Sequence, residues 1–383
     1  MNFCCIFTNL KNFEQYKSPG QLPYYLAKEE GYKSTLVTFD NDTFTNFKEL
    51  DEIDLVVLKK KFSIYFLNNI FVIGWLIKNA KNIDVLNCYH FTIQTFMFFF
   101  VYKIFNRGGG VIYLRIDAGY PAALRINGYQ KGLRYQIETK LSIFLFKHFI
   151  DFASIETKKA HDIFINSHEI YKKKLMYLPV FINPNPALKT EKKNQIISVG
   201  RIGSYQKATD IVVESFKQAI QKLNNDDWIL KLVGPISEDF EDYLNNFLSE
   251  NPHLKDRIIT TGNIEDRDEL YKIYSESKIL FLPSRHGSFE IVFCEALFYD
   301  DYLIITDVGT GSYLVDISDF GQIVEIDDVD SASEALIDAI ENFDEWYENK
   351  DKDLKELVTE EFGYKNHTKN LSLNLNRIKQ AKK

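Results

Sequence analysis

The stretch that decides the fold is Ile279-Leu-Phe-Leu-Pro-Ser-Arg-His-Gly-Ser-Phe-Glu-Ile-Val-Phe-Cys-Glu-Ala-Leu297. Its first four residues are apolar and predict a buried strand, which the following Pro-Ser pair ends. A short polar turn then leads into an apolar helix over about 289–299, for which Ser288 is a suitable N-cap. A strand, a turn and a helix in this order are typical of one βα unit of a parallel sheet.

Similar units occur on both sides of this stretch. The remaining strands of the second half are predicted at Gln195–Gly200, Trp228–Val233, Arg257–Thr261, Leu303–Thr306 and Gly321–Glu325. In the first half the predicted strands are Asn2–Thr8, Ser34–Phe39, Leu55–Leu58, Asp84–Cys88, Val111–Arg115, Phe152–Ile155 and Leu175–Leu178, with helices at about 20–30, 64–80, 92–105 and 130–149. This alternation predicts an α/β protein with two Rossmann-like halves.

The two halves differ in charge. Residues 1–190 carry a net charge of +8 and residues 191–383 a net charge of −16, within a chain of net charge −8. The division coincides with a Pro- and Asn-containing break at 181–194, which predicts a linker. We therefore predict an N-terminal domain at 1–182, a second domain at 195–355 and a C-terminal segment at 356–383. A basic first half points to an anionic partner.

Composition excludes several classes of protein. Of the 383 residues 45% are hydrophobic and 26% charged, which rules out wholesale disorder. The most apolar stretch, 91–105, has 15 residues, whereas a membrane-spanning helix needs about 20. Four cysteines without a C-x-x-C pair indicate a reducing compartment, so we expect a cytoplasmic protein. The seven histidines lack metal-ligand spacing, and the acidic second half has no nucleic-acid recognition motif.

Polar residues that follow strands carry the functional information, because ligands of open parallel sheets bind at the carboxyl ends of the strands. After 195–200 come Arg201 and Lys207, two cations at the start of a helix, which favour a diphosphate pocket. A solvated loop is the alternative. Gly234 and the Thr261-Gly262-Asn263 turn follow the next two strands and could let a ligand approach the backbone or be plain turns. Glu295 would lie on an apolar helix and would need a partner, either ribose hydroxyls or a cation such as Arg201.

These motifs, in this order and spacing, resemble the retaining GT-B glycosyltransferases of family 4, the group 1 type, over about 195–345. The motifs are Gly-Arg-x5-Lys, Val-Gly, Thr-Gly-Asn, Pro-Ser followed eleven residues later by Glu-Ala, and Thr306-Asp-Val-Gly309. The resemblance implies a C-terminal helix that returns to the first domain and a nucleotide-sugar donor, UDP-linked for preference, bound without a metal. It implies that Arg201 and Lys207 hold the diphosphate and Glu295 the ribose. The other donor-binding residues would be Gly234, Thr261, Gly262, Asn263, Ser284, His286, Gly287, Ser288, Phe289, Ile291 and Val292.

The sequence departs from the family pattern at several places. Gly287 stands where the family has a glutamate that contacts the donor sugar, and Glu290 could substitute for it from the next turn. Ala208 replaces a usual glycine, and Tyr313 a usual acid. In the first half Asp117 occupies the place of a histidine at the end of a strand. Asp117 could bind a sugar hydroxyl, act as a base or cap the next turn.

The acceptor side is less marked. Ser18-Pro19-Gly20-Gln21 resembles the family's glycine-rich first loop, and Gly20 and Arg115 are the candidates there. A basic segment at 133–149, with Arg125, Lys131 and the Lys172–Lys174 cluster, predicts an amphipathic helix that contacts an anionic membrane. The alternative is that its apolar residues face the domain core.

We therefore expect a cytoplasmic, hexosyltransferase-type glycosyltransferase, peripheral on the inner face of the membrane. It would act on a saccharide or lipid-linked acceptor in surface polysaccharide synthesis, such as that of lipopolysaccharide or capsule, with Asp117 and Glu290 as the catalytic candidates. Two alternatives remain: a non-catalytic GT-B-like partner subunit, and a nucleotide-sugar 2-epimerase.

Overall fold

The computed structural model describes residues 1–41, 51–117, 120–127, 132–224 and 227–382. They form two compact units, one made of Met1–Phe181 with Gly363–Lys383 and the other of Ile182–Phe362. Each unit has a parallel sheet with helices, so the prediction of an α/β protein with two Rossmann-like domains is confirmed.

The first unit is built on a seven-stranded sheet in the order β3-β2-β1-β4-β5-β6-β7. Every strand pair described is parallel, and the central strands are almost wholly buried, as their uninterrupted apolar runs predict. The strands are β1 Asn2–Ile6, β2 Lys33–Phe39, β3 Asp54–Leu58, β4 Val85–Tyr89, β5 Val111–Ile116, β6 Phe152–Ile155 and β7 Leu175–Tyr177. The helices are α1 Ser18–Glu30, α2 Asn69–Asn79, α3 Ile93–Phe105, α4 Tyr120–Ile126, α5 Leu133–His148, α6 Lys158–Ser167 and α7 Glu169–Lys174.

The second unit has a six-stranded parallel sheet in the order β10-β9-β8-β11-β12-β13. Its strands are β8 Gln195–Val199, β9 Ile229–Val233, β10 Ile258–Thr260, β11 Ile279–Leu282, β12 Tyr302–Thr306 and β13 Gly321–Val324. The helices are α8 Thr209–Leu223, α9 Glu238–Glu250, α10 Arg267–Glu276, α11 Ile291–Phe298, α12 Gly311–Ser318, α13 Val329–Asn349 and α14 Leu354–Phe362.

The last helix, α15 (Tyr364–Ala381), belongs to the first unit. The ring of Tyr364 stacks on Tyr25 of α1 with 3.9 Å between centroids. The Tyr32 hydroxyl lies 3.3 Å from the Ser372 hydroxyl, and Lys379 pairs with Asp84 at 2.8 Å. Apolar, polar and charged contacts thus hold the C-terminal segment against the first sheet and α1.

Two local expectations need correction. Residues 18–21 form the first turn of α1, not a loop, because Pro19 suits the start of a helix. A Cβ on Gly20 would stand 2.5 Å from the Cα of Gln15, so packing requires a glycine at this position. In the second unit α11 begins at Ile291. Its N-cap residue is Glu290, not Ser288, with extended backbone angles and no capping hydrogen bond from its side chain.

Helix α5 is not amphipathic in the predicted way. Phe146 and Ser142 are buried, whereas Ile137, Leu141 and Phe144 are each at least half exposed. Apolar residues therefore occupy two faces of the helix, one in the core and one in solvent. Lys131 lies outside the described residues. Among the described helices none has both the length and the apolarity needed to cross a membrane.

Candidate functional site

The strand order of the second sheet reverses between β8 and β11, and open parallel sheets bind ligands at such a switch point. The segments that follow these two strands contain Arg201 and Lys207 on one side and Ser284 to Glu290 on the other. A backbone hydrogen bond of 2.9 Å joins Arg285 N to Gln206 O, and Gln206 Nε2 donates to His286 O at 3.0 Å. The two segments thus form one connected site.

Glycines bring the backbone of neighbouring strands together at this edge. Gly234 has φ +134°, and a Cβ there would lie 1.9 Å from the carbonyl oxygen of Gly200. The amide of Gly234 donates to Gly262 O at 3.1 Å. The exits of β8, β9 and β10 are therefore packed backbone against backbone, which a side chain at position 234 would prevent.

A buried ion pair lies at the centre of the site. Lys207 Nζ is 2.6 Å from Glu290 Oε2, and only 10% and 11% of the two side chains are exposed. Lys207 closes the short 3₁₀ turn Tyr205–Lys207, and the next residue, Ala208, takes left-handed angles so that α8 can begin. The pair satisfies the charge of the lysine while leaving it beside the end of β8 and close to Gly200.

Glu290 occupies the space beside Gly287. A Cβ placed on Gly287 would lie 2.5 Å from Glu290 Oε1. A larger side chain at 287 and the present position of Glu290 thus exclude each other. This is the geometry expected if Glu290 takes the place of the glutamate that the family has at position 287.

Glu295 is only 3% exposed and pairs with the guanidinium of Arg267. Arg267 is the first residue of α10 and packs its guanidinium carbon 4.7 Å from the centre of the Tyr271 ring. Burial lowers the pKa of the Arg267 guanidinium, but Glu295, Tyr271 and Tyr274 together outweigh burial and raise the pKa above its usual value. Of the two partners expected for Glu295, the structure supplies the cation, although at Arg267 and not at Arg201.

The other donor candidates have varied surroundings. Arg201 is exposed and hydrogen-bonds Gln206. The hydroxyl of Ser284 is buried and has no hydrogen-bond partner among the described residues. Phe289 packs edge-on against Phe362 with 5.7 Å between centroids, and Thr261 Oγ1 donates to Gly262 O. Asn263 and His286 are exposed, and the partly exposed positions near them are Gly262, Gly287, Ser288, Ile291 and Val292.

Two residues of this site escaped the sequence analysis. Gln206 links Arg201 to the segment after β11, and Arg285 binds both carboxylate oxygens of Asp210 at 2.7 and 3.0 Å. Arg285 also donates to Tyr205 O at 3.0 Å. The Arg285-His286 pair shortly after a predicted strand could have indicated Arg285 as a site residue. No sequence pattern indicated Gln206.

In the first unit Asp117 follows β5 and is exposed. Arg115, by contrast, is 1% exposed and uses all five of its N–H donors on Glu156, Ser18, Ser154 and the carbonyl oxygens of Leu178 and Pro179. Arg115 therefore has no N–H group left to bind an acceptor substrate. Its role is to hold Glu156, a buried carboxyl that the sequence analysis did not name, beside the start of α1.

The pKa of Glu156 is raised to about 7, because burial of the carboxyl outweighs the nearby Arg115 and Asp117 adds to the rise. A pKa that is higher in the folded state than the ordinary 4.5 stabilises the fold below pH 4.5, and this contribution is lost as the pH rises to about 7. In the wild-type protein this contribution to the unfolding free energy falls by about 3 kcal/mol between pH 4.5 and about 7. We expect Glu156→Gln to remove that fall. Urea unfolding at each pH measures it. Glu138→Gln, a surface control on α5, should keep the wild-type slope, and an unchanged slope in Glu156→Gln would contradict the assignment.

Comparison with known proteins finds a family that matches part of the chain. Residues 193–342 match the family described as glycosyl transferases group 1. A search of curated proteins finds no match. No group of three or more metal-binding side chains occurs in the part of the chain that the structure describes.

Solved structures with the same fold cover nearly the whole chain. HepE of Anabaena in complex with UDP and glucose has a TM-score of 0.72 at 12% identity, over 98% of this chain and 100% of its own. Sucrose-phosphate synthase of Thermosynechococcus elongatus gives 0.71 at 14% identity over 100% of both chains. A glycosyltransferase of Rickettsia africae gives 0.69 at 17% identity over 98% of both. The expected resemblance is thus confirmed: residues 193–342 match the glycosyl transferases group 1 family, in a chain with the GT-B fold.

Proposed function

We propose that the protein transfers a hexosyl group from a nucleotide diphosphate sugar, UDP-linked for preference, to a saccharide acceptor during the synthesis of a surface polysaccharide. The observation that carries the proposal is the buried Lys207–Glu290 pair at the switch point of a group 1 glycosyltransferase domain. Structures of the same fold that were solved with UDP or UDP-glucose support the choice of donor.

The charges of the site suit a departing diphosphate. Lys207 and Arg201 would bind its oxygens, and the free N–H groups at the start of α11 would add hydrogen bonds. Negative charge grows on the diphosphate as the glycosidic bond breaks, so fixed cations stabilise the transition state more than the ground state. Lys207 would then exchange its contact with Glu290 for one with phosphate.

Two carboxylates are assigned to the nucleoside and the sugar. Glu295, held by Arg267 through one oxygen, would accept hydrogen bonds from the ribose hydroxyls with its other oxygen. Glu290, released from Lys207, would contact the donor sugar in place of an acid at 287. Asp117 would bind or deprotonate the acceptor hydroxyl. We propose retention of configuration by analogy with the family that the sequence resembles.

A donor panel tests the function. The purified chain is mixed with UDP- and GDP-sugars, and thermal shift and release of nucleoside diphosphate are measured with and without oligosaccharide acceptors. We expect stabilisation by UDP-sugars and acceptor-dependent release of UDP. Binding without release would favour a non-catalytic subunit, and a donor converted to its C2 epimer would favour an epimerase. If no nucleotide binds, the proposal fails.

We also propose that the first unit docks on an anionic membrane through one face of α3 and α5. Ile137, Leu141 and Phe144 form a stripe along α5, and they are 57%, 50% and 51% exposed. Phe100 and Ile104 of α3 are each 54% exposed, and Lys103 joins the two helices by donating to His148 O at 2.9 Å. The exposed cations on α5 are Arg134, Lys140 and Lys147. Apolar side chains flanked by cations suit a bilayer with anionic headgroups.

The double variant Leu141→Ser/Phe144→Ser is expected to weaken binding to phosphatidylglycerol-containing vesicles at least about tenfold, since each buried apolar side chain contributes about 1.5–3 kcal/mol. Co-sedimentation at low and high salt measures it. Because both side chains face solvent, the unfolding free energy should stay within about 0.5 kcal/mol of wild type. Wild-type protein that leaves such vesicles in the supernatant at low salt would overturn the assignment.

A further inference from the structure

A cavity of about 440 Å³ opens in the first unit at the carboxyl ends of β1 and β4. These two strands are neighbours at the point where the strand order of the first sheet reverses. Ligands of open parallel sheets bind at such a point, and pockets of roughly 300–1,000 Å³ hold small molecules. The size and position of this cavity therefore suit a binding site for a small molecule.

Aromatic rings form one part of the wall. Phe7 and Tyr89 meet edge to face with 5.3 Å between centroids, and His90 lies 6.1 Å from Phe7. His90 adopts a φ of +64°, which is uncommon for a residue with a side chain, and its amide donates to Arg115 O at 3.0 Å. Residues held in such angles concentrate at functional sites.

Uncharged polar groups form the other part. Gln94 Nε2 donates to Thr8 Oγ1 at 3.1 Å and to Asn69 Oδ1 at 2.9 Å, which fixes the amide and orients its carbonyl oxygen as the remaining acceptor. The carbonyl oxygen of Gln94 is thus available to accept a hydrogen bond from a ligand hydroxyl.

The lack of charged side chains in the cavity restricts the class of ligand that it can bind. Among the described residues that line it there is no Lys, Arg, Asp or Glu. A phosphate or carboxylate placed there would lose hydration without gaining a counter-ion, which is strongly unfavourable. Aromatic rings with amide and hydroxyl groups instead suit the C–H faces and hydroxyls of a sugar.

We propose that this cavity binds an uncharged sugar ring, so that the saccharide acceptor presents a neutral residue and not a phosphorylated or acidic one. The statement that the bound sugar belongs to the acceptor rests on the proposed function. Binding of the sugar itself can be measured separately.

The test uses saturation-transfer NMR on the full chain with methyl α-D-glucopyranoside, methyl β-D-galactopyranoside and N-acetylglucosamine. Glucuronic acid and glucose 6-phosphate are the anionic probes. We expect at least one neutral probe to bind at least tenfold more tightly than both anionic ones. Equal binding of the anionic probes, or no binding of any neutral probe, would overturn the proposal.

A matched pair of glutamine variants locates the site. Gln94→Leu removes an amide from the wall of the cavity, so it should weaken sugar binding about 3- to 10-fold and also lower stability through the loss of its two hydrogen bonds. Gln195→Leu in the second unit removes an amide that donates to Ser277 Oγ at 2.6 Å, so it should lower stability and leave sugar binding unchanged. Unaltered sugar binding in Gln94→Leu would place the site elsewhere.

UDP binding in the same samples separates this inference from the proposed function. If UDP binds and the neutral sugars do not, the inference alone fails. If a neutral sugar binds and UDP does not, the assignment of the donor site fails while the sugar site stands.

Discussion

Replacing Lys207 with methionine is expected to lower turnover of the nucleotide-sugar donor by about 100- to 1,000-fold, the usual effect of removing one group that stabilises charge in a transition state. Lys207 lies at the switch point of the second sheet, beside Gly200 and beneath the segment that carries Glu290. Lys207 is the one lysine in the described segments that lead from β8 to α8 and from β11 to α11. Steady-state release of UDP and the Kd for UDP measure the loss.

The same change should also destabilise the fold, and this effect has to be separated from the first. Methionine leaves the Glu290 carboxyl buried without its cation, which costs about 3–5 kcal/mol when a buried pair is broken. The double variant Lys207→Met/Glu290→Gln removes both charges and should recover most of the unfolding free energy. It should not recover UDP binding, because the diphosphate still lacks its cation.

A second buried pair in the same unit provides the matched control. Lys192 Nζ lies 2.5 Å from Asp301 Oδ1, with 12% and 0% of the side chains exposed. Lys192→Met should destabilise the unit by a similar amount and leave the Kd for UDP at its wild-type value. If Lys207→Met also kept that Kd, Lys207 would serve the fold alone and the proposed donor site would be wrong.

The strands were largely predictable because each is a short apolar run between polar or glycine-rich segments. Ile279–Leu282 and Phe152–Ile155 have the predicted bounds, and most other strands differ by one or two residues at their ends. The helices α4, α6, α7, α12 and α14 were not predicted. Their sequences are short or mixed in polarity, and their local patterns do not distinguish a helix from a loop.

The partners in the candidate sites were not predictable, since a single sequence does not reveal which distant residues meet. Glu295 was expected to need a cation, and Arg267, 28 residues earlier, supplies it. Arg115 was expected to face an acceptor, yet Glu156, 41 residues later, and two carbonyl oxygens occupy its donors. Helix α5 was misjudged for a related reason. Apolar residues on two faces have the same composition as an amphipathic helix, and only packing shows that Phe146 is inside while Phe144 is outside.

Gly234→Ala is the second change with a large expected effect. Gly234 has a positive φ, and its new Cβ would overlap the carbonyl oxygen of Gly200, 1.9 Å away. The obstacle is backbone, which cannot rotate aside as a flexible side chain could, so the exits of β8 and β9 must separate. We expect a loss of about 3 kcal/mol or more in unfolding free energy, together with at least tenfold weaker UDP binding because Arg201 directly follows Gly200.

Gly262→Ala provides the comparison, since it separates strain from overlap. Gly262 also has a positive φ, +70°, but no atom lies within 4 Å of a Cβ built on it. Alanine there should cost only the backbone term of about 1–2 kcal/mol. Urea unfolding and UDP titration of both variants measure the difference. Equal losses would mean that the two strand exits do not pack backbone against backbone. A much larger loss at Gly234 would show that the diphosphate segment depends on that close contact, because only a Cβ at 234 would meet a backbone atom of a neighbouring segment.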